Sequence, residues 1–353
     1  MKRNYRLFLC ILLSMPVLLL SGCDLPSRLN FGKTSGSGES ISKSGFYFNT
    51  VITVTLYGTK DETLLDDCFS LADTYENYFS NTIADSDVSK INAAGGAPVT
   101  VHEETAELIK KGLYYGDLSN GKFDITIGKL SDLWDISTKA LLEKTDASMI
   151  PSDDEIKKAL STVDYQNVVV DGNTVTLKYP SAKIDLGGIA KGYIADRMKD
   201  YLNHKGAACG YINLGGNVLC LGAKPDGSSY NIGIQRPFDD EGAAMLAVSV
   251  TDQTVVSSGV YERYFEVDGK RYHHILDTAT GYPYDNGLLG VSIITDESVD
   301  GDGLSTTCFA LGLADGMALV ESLDNTEAVF ITEDYELHFS SGMGTKIPYQ
   351  VME

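Results

Sequence analysis

At 353 residues, 43% hydrophobic and 22% charged, the chain has the balance of an ordinary globular protein with room for a full core, which excludes a disordered, fibrous or polytopic membrane protein. Its formal charge of −21 makes nucleic acid an unfavourable partner. A polyanionic substrate would meet the same repulsion unless a metal or a local basic group offset it, a first pointer to a divalent cation; the excess acid equally serves plain solubility.

In chain order, Lys2, Arg3 and Arg6 precede a mostly apolar run over residues 7 to 20, too short for a comfortable membrane span and typical of a signal peptide. It ends in Leu20-Ser21-Gly22-Cys23, which resembles a bacterial lipobox, so cleavage leaves Cys23 as a lipid anchor on the extracytoplasmic face of the cell membrane. Cleavage removes three cations and no acid, taking the formal charge to −24. Residues 24 to 44 are rich in Ser and Gly and read as a tether. The expected organisation is a signal segment 1–22, an anchored tether 23–44 and one folded domain 45–353. The remaining cysteines, Cys68, Cys209, Cys220 and Cys308, lie among apolar residues without a C-x-x-C pair, so buried thiols are expected.

FYFNTVITVTLYG alternates as one strand ending at Gly58, and residues 61 to 79 carry apolar side chains at three-and-four spacing, a helix. Helices are expected over 103 to 118 and 151 to 160, the latter started by Pro151 and Ser152. VVVDGNTVTLKY reads as a hairpin about Asp171-Gly172, and strand-rich sequence fills residues 211 to 294. Helical pattern returns over 304 to 323, broken by Gly312 and Gly316. This mixed order indicates α+β architecture, with mixed or antiparallel sheets and packed helices.

The chemistry concentrates in a few stretches. In KIDLGGIAKGYIAD a strand over residues 182 to 185 runs through Gly187-Gly188 into a helix with Lys191 in its first turn. Neither the Walker A loop nor the dinucleotide fingerprint fits. The helix dipole disfavours a lysine there, so an anionic ligand explains Lys191 better than a solvated turn does. In SVDGDGLSTTCFALG, Asp302 and Thr306 share a face of a helix beginning near Gly303, with Ser305 beside them. A carboxylate, a hydroxyl and a backbone carbonyl are the oxygen ligands Mg²⁺ takes, although Asp302 also fits a simple N-cap. Arg263 follows a Ser-Ser-Gly turn, and the neighbours His273 and His274 face opposite ways on a strand, so only one can serve a site. GKFDITIGKLSDLW offers Phe123 or Trp134 for aromatic stacking, or as core. INLGGNVLCLG signals only a turn.

Taken together and in order, FNTVITVTLYG, YFSNTIADSDVSKIN, GKFDITIGKL, IDLGGIAKGYIAD, INLGGN, SSGVYERYF, YHHILDTATGYP and GDGLSTTCFALG resemble the FAD:protein FMN transferases, the ApbE family, over residues 46 to about 323. The resemblance implies a T-fold-related architecture. It also implies an enzyme that binds FAD with Mg²⁺ and transfers FMN to a Thr or Ser hydroxyl of an exported protein carrying an S/T-G-A-S/T-like motif, releasing AMP. By position, Gly188, Asp302 and Thr306 become metal ligands with Ser305 a further candidate. Phe48, Lys122, Phe123, Asp124, Asp185, Lys191, Arg263, His274 and Leu276 become FAD-lining residues. Asp302 is counted as catalytic as well, and His274 and Asp185 are candidates for the base. This chain has Phe48-Asn49-Thr50 where many relatives have Met-Gly-Thr, differs near Thr82, where many have an aromatic, and has Thr278 where the family motif has Pro. The alternatives are an Mg²⁺-dependent FAD pyrophosphatase giving FMN and AMP, and a non-catalytic FAD-binding lipoprotein.

Overall fold

The computed structural model describes residues 39–352 apart from 241. The signal segment, Cys23 and most of the tether lie outside them. Eight strands form an antiparallel sheet in the spatial order Ser40–Tyr47, Thr50–Tyr57, Gly210–Leu214, Asn217–Leu221, Thr254–Gly259, Leu288–Thr295, Glu327–Thr332 and Leu337–Phe339. A three-stranded sheet of Tyr230–Gln235, Ala244–Val250 and Tyr349–Val351 adds Ile234, Leu246 and Val248 to the same core. The class is α+β, as read from the sequence. Among the described residues no helix is long and apolar enough to cross a membrane.

Several local readings are corrected. FYFNTVITVTLYG is not one strand: it spans a tight hairpin whose two turn residues, Phe48 and Asn49, have φ of 52° and 56°. The alternating pattern continues through such a turn, because the turn's two residues flip the chain without disturbing the period of two. The first strand begins at Ser40, so the last residues assigned to the tether already belong to the sheet. Residues 182 to 185 form only a single bridge, Ile127 to Lys183, because Gly187-Gly188 follow too soon for a ladder. The thiols are reduced, with Cys68, Cys220 and Cys308 buried and Cys209 half-buried.

Helices Thr63–Phe79, Glu103–Leu118 and Asp153–Leu160 match the periodicity, the last with a reciprocal capping box between Ser152 and Glu155. The helix bearing Asp302 starts earlier than expected and spans Ser298–Leu311. It is buried nearly all round, so its first turn lacks the apolar stripe that marks a surface helix. Asp302 therefore sits in the second turn and is not its N-cap. Trp134 is core: it is fully buried in a second apolar cluster with Leu130, Ile156, Phe265 and Tyr272, and its indole Nε1 donates to the Gly281 carbonyl at 2.7 Å.

Two buried helices carry the site, and each caps the other. Ser298–Leu311 packs against Ala190–His204. Asp196 of the latter accepts from the backbone N–H groups of Ser298 and Val299 at 2.7 and 2.8 Å. Asp302 of the former accepts from the N–H of Gly192 at 2.7 Å. Residue 192 thus meets 302 while 196 meets 298, so the helices run antiparallel, and each carboxylate takes amides left over in the other's first turn. Contact this close requires Gly192: a Cβ there would fall on the Ser298 carbonyl and 2.7 Å from the Val299 Cα. Gly192→Ala is expected to destabilise the protein by about 1–3 kcal/mol or more through overpacking, read as a lower urea midpoint; an unchanged midpoint would show that the two helices can part without cost.

Candidate active site

The crossing of these helices forms the centre of the site. Asp302 is 5% exposed, and each of its oxygens holds an N–H donor: Gly192 on Oδ2, and the Asn217 side-chain amide on Oδ1 at 2.6 Å. Burial pushes its carboxyl above the usual range, while the Lys191 ammonium 4.0 Å away, Asn217 and Gly192 pull it back. The helix begins at Ala190 with Ile189 as its N-cap, so the Gly192 N–H is one of the donors a first turn leaves without an intrahelical partner, and Asp302 takes it. Among the described residues no backbone N–H donates to the carbonyl of Gly188, which lies in the turn leading into that helix. Gly188 also lies against Phe123, whose ring a Cβ would approach to 3.2 Å.

One helical turn on, Ser305 and Thr306 differ. Ser305 is fully buried and its hydroxyl is taken up by the Asp302 carbonyl at 3.0 Å and the Ser258 hydroxyl at 2.8 Å. Thr306 remains half-buried, with Ser258 at 3.2 Å. The geometry brings together Gly188, Lys191, Asp302 and Thr306, with Ser305 a support behind them. No group of three or more His, Cys, Asp or Glu side chains is placed to hold a metal among the described residues. Any cation here would rest on one carboxylate with hydroxyl and carbonyl oxygens, a hard-oxygen set suited to Mg²⁺.

The hairpin Tyr264–Val267 and Lys270–His273 and the residues flanking it bring further charged and titratable groups. Arg263 and Lys191 both act electrostatically on His274 and on Glu262, so these groups lie near one another. The Arg263 carbonyl receives the backbone N–H of His274 at 3.2 Å and its ring Nδ1–H at 3.3 Å, leaving Nε2 as the basic nitrogen. Burial, then the charge of Arg263, lowers the His274 pKa to about 3, so the ring is neutral at physiological pH. His273 is turned the other way, as strand alternation requires. Its Nε2–H donates to the Tyr284 carbonyl at 2.8 Å and its Nδ1 accepts from Ile275 N–H at 3.3 Å.

The other expected site residues divide. Asp185 is half-buried, accepting from Gly187 N–H at 2.8 Å and from the Asn81 amide at 3.2 Å, with its carboxyl raised by burial. Phe48 sits at the tip of the first hairpin, its N–H on Glu76 at 2.7 Å. Asp124 is buried and its carboxylate is occupied by Thr126 and by the Tyr165 N–H. Lys122 caps the far end of the Asp302 helix through the Ala310 carbonyl at 3.2 Å. The Leu276 side chain belongs to the second apolar cluster and not to the site. Asn217, Ser258 and Glu262 were not singled out from sequence: Asn217 looked like part of a Gly-Gly turn, and no local pattern ties it or Ser258 to Asp302. A surface depression of about 670 Å³, lined by Tyr272, His273, Tyr284 and Glu333 among others, includes neither Asp302 nor Lys191.

Comparison with known proteins agrees over most of the chain. A family model described as the ApbE family matches residues 48–330. A protein named FAD:protein FMN transferase from Klebsiella pneumoniae (strain 342) is 38% identical over 303 residues, covering 85% of this chain and 92% of that one. One of the same name from Treponema pallidum (strain Nichols) is 32% identical over 326 residues, covering 87% and 88%. Among solved structures, the flavin transferase ApbE from Vibrio cholerae aligns with a TM-score of 0.76 at 26% identity, over 86% of this chain and 98% of that one. The ApbE protein from Thermotoga maritima aligns at 0.77 and 32% identity, over 86% and 97%.

The His273 geometry generates a pH prediction. The unfolded imidazole takes up its proton near pH 6.5, whereas burial lowers the folded pKa to about 4. The unfolded state therefore binds more protons between these values, and stability falls as pH drops from about 6.5 to 4. In His273→Gln the urea midpoint should fall less steeply over that window, and an unaltered slope would show that His273 is not held neutral in the fold.

Proposed function

The chain belongs to the ApbE family, and we propose that it transfers the FMN moiety of FAD to a Thr or Ser hydroxyl of an exported protein, releasing AMP, with Mg²⁺ held against Asp302. Transfer of FMN from FAD to protein is the activity named for its relatives. The observation that supports the metal reading is the buried Asp302 carboxylate, with Lys191 4.0 Å from it and the Gly188 carbonyl, which accepts no backbone N–H, in the turn leading into the Lys191 helix. Gly188, Asp302 and Thr306 would hold the ion. When bound, Mg²⁺ supplies charge neutralisation for the pyrophosphate and its transferring phosphoryl group.

The protein's own groups account for the remainder. Lys191, in a helix's first turn, meets the pyrophosphate and steadies the charge that gathers on AMP as it leaves. The acceptor hydroxyl forms the new P–O bond to the FMN phosphorus while the P–O bond to AMP breaks with its electron pair on the AMP oxygen. The hydroxyl proton goes to His274 Nε2, the nitrogen left free by the Arg263 carbonyl, its basicity raised by the substrate's phosphate charge above the low value that burial and Arg263 impose. Asp185 is the weaker candidate for that role, since both its oxygens already accept N–H groups. Arg263 and Phe48 would serve FAD binding. Lipidation at Cys23 would place this chemistry at the extracytoplasmic membrane face, where exported acceptors are met.

The test incubates the full chain with FAD, Mg²⁺ and a protein bearing an S/T-G-A-S/T-like motif. The acceptor should gain the mass of one FMN unit with release of an equal amount of AMP, and chelation should stop both. Asp302→Ala should lower labelling by about a hundredfold or more. AMP and unattached FMN with an unlabelled acceptor would reject the transferase in favour of a pyrophosphatase, and bound FAD with no turnover would leave only a flavin-binding protein.

A further inference from the structure

Asn217 reaches the site at the start of the strand Asn217–Leu221, directly after the Gly215-Gly216 turn, whose φ angles of 61° and 98° suit glycine. It is 1% exposed, and both ends of its amide are engaged. Nδ2–H donates to Asp302 Oδ1 at 2.6 Å, and Oδ1 accepts from Lys191 Nζ at 3.3 Å. The same lysine nitrogen stands 4.0 Å from the same Asp302 oxygen. A flexible ammonium and a buried carboxylate attract strongly at that range, and a direct contact pair would close to roughly 2.8 Å. Such a pair would occupy the oxygen a cation needs and cancel the charge that draws it. It would also withdraw the ammonium from any phosphate.

An asparagine amide is the neutral group that can prevent this, presenting a donor to the carboxylate and an acceptor to the ammonium. Leucine of similar size can do neither, and aspartate would repel Asp302 while holding Lys191 more tightly. We infer that Asn217 is a positioning residue that keeps Lys191 apart from Asp302, so that the carboxylate stays open to a divalent cation and the ammonium to the substrate's phosphates. The inference rests on the reading of Asp302 as a metal ligand.

The test titrates Mn²⁺ alone, followed by its electron paramagnetic resonance signal, into the full chain and its variants without FAD. Asn217→Ala should bind Mn²⁺ about 10- to 100-fold more weakly, the usual effect of losing a group that orients a metal ligand. Adding Lys191→Met to that variant should restore about tenfold of the loss, because the intruding ammonium is gone. Wild-type affinity in Asn217→Ala, or a double variant as weak as Asn217→Ala alone, would overturn the inference, since a merely structural role gives no rescue. Asn217→Leu, which fills the volume, replaces Asn217→Ala if the latter does not fold. Lys191→Met alone should bind Mn²⁺ at least as tightly as the wild type, and weaker binding would also overturn the proposal whatever Asn217 variants do. Failure of the wild type to bind Mn²⁺ would instead reject the metal reading of Asp302 itself.

Discussion

The hydrogen bond from Gly192 N–H to Asp302 sets the terms for everything around it. It takes up an amide that the helix leaves unpaired, fixes the plane of the carboxylate and draws two helices together at a point where only glycine fits. Its counterpart, Asp196 on the Ser298 and Val299 amides, prevents the helices from sliding relative to one another. One interaction therefore settles both the packing of the core and the exposure of the oxygens that carry the chemistry. A buried carboxylate with only partial compensation is costly, and folds retain such groups where a ligand completes them.

The pairs that recur within one or two turns were readable from the chain. Asp302 and Thr306 lie four apart, and the lysine in a helix's first turn was conspicuous against the dipole. The helix boundary was misplaced because glycines and acids in SVDGDG carry no apolar stripe, and their burial depends on partners distant in sequence. Asn217 and Ser258 were silent for the same reason: their partners lie 85 and 47 residues away. The α+β class followed from the alternation of patterns, but the pairing order of eight strands arises from long-range closure that local periodicity does not encode.

The departures from the family pattern find local accommodation. Thr278, standing where relatives have Pro, donates its hydroxyl to the Gly121 carbonyl at 2.8 Å and so links the histidine segment to the loop before Phe123. Phe48-Asn49 adopts a two-residue hairpin turn, held by Glu76.

The second apolar cluster has a wider meaning. Trp134, Phe265 and Tyr272 support the histidine segment, whereas the helices bearing Asp302 and Lys191 are rooted in the main core. The histidine segment is tied to both, since Ile275 lies in the main core and the His273 ring meets Phe309 of the Asp302 helix edge-on at 6.1 Å. Trp134, the only tryptophan in the chain, is therefore a built-in optical probe of the packing that holds this segment in place.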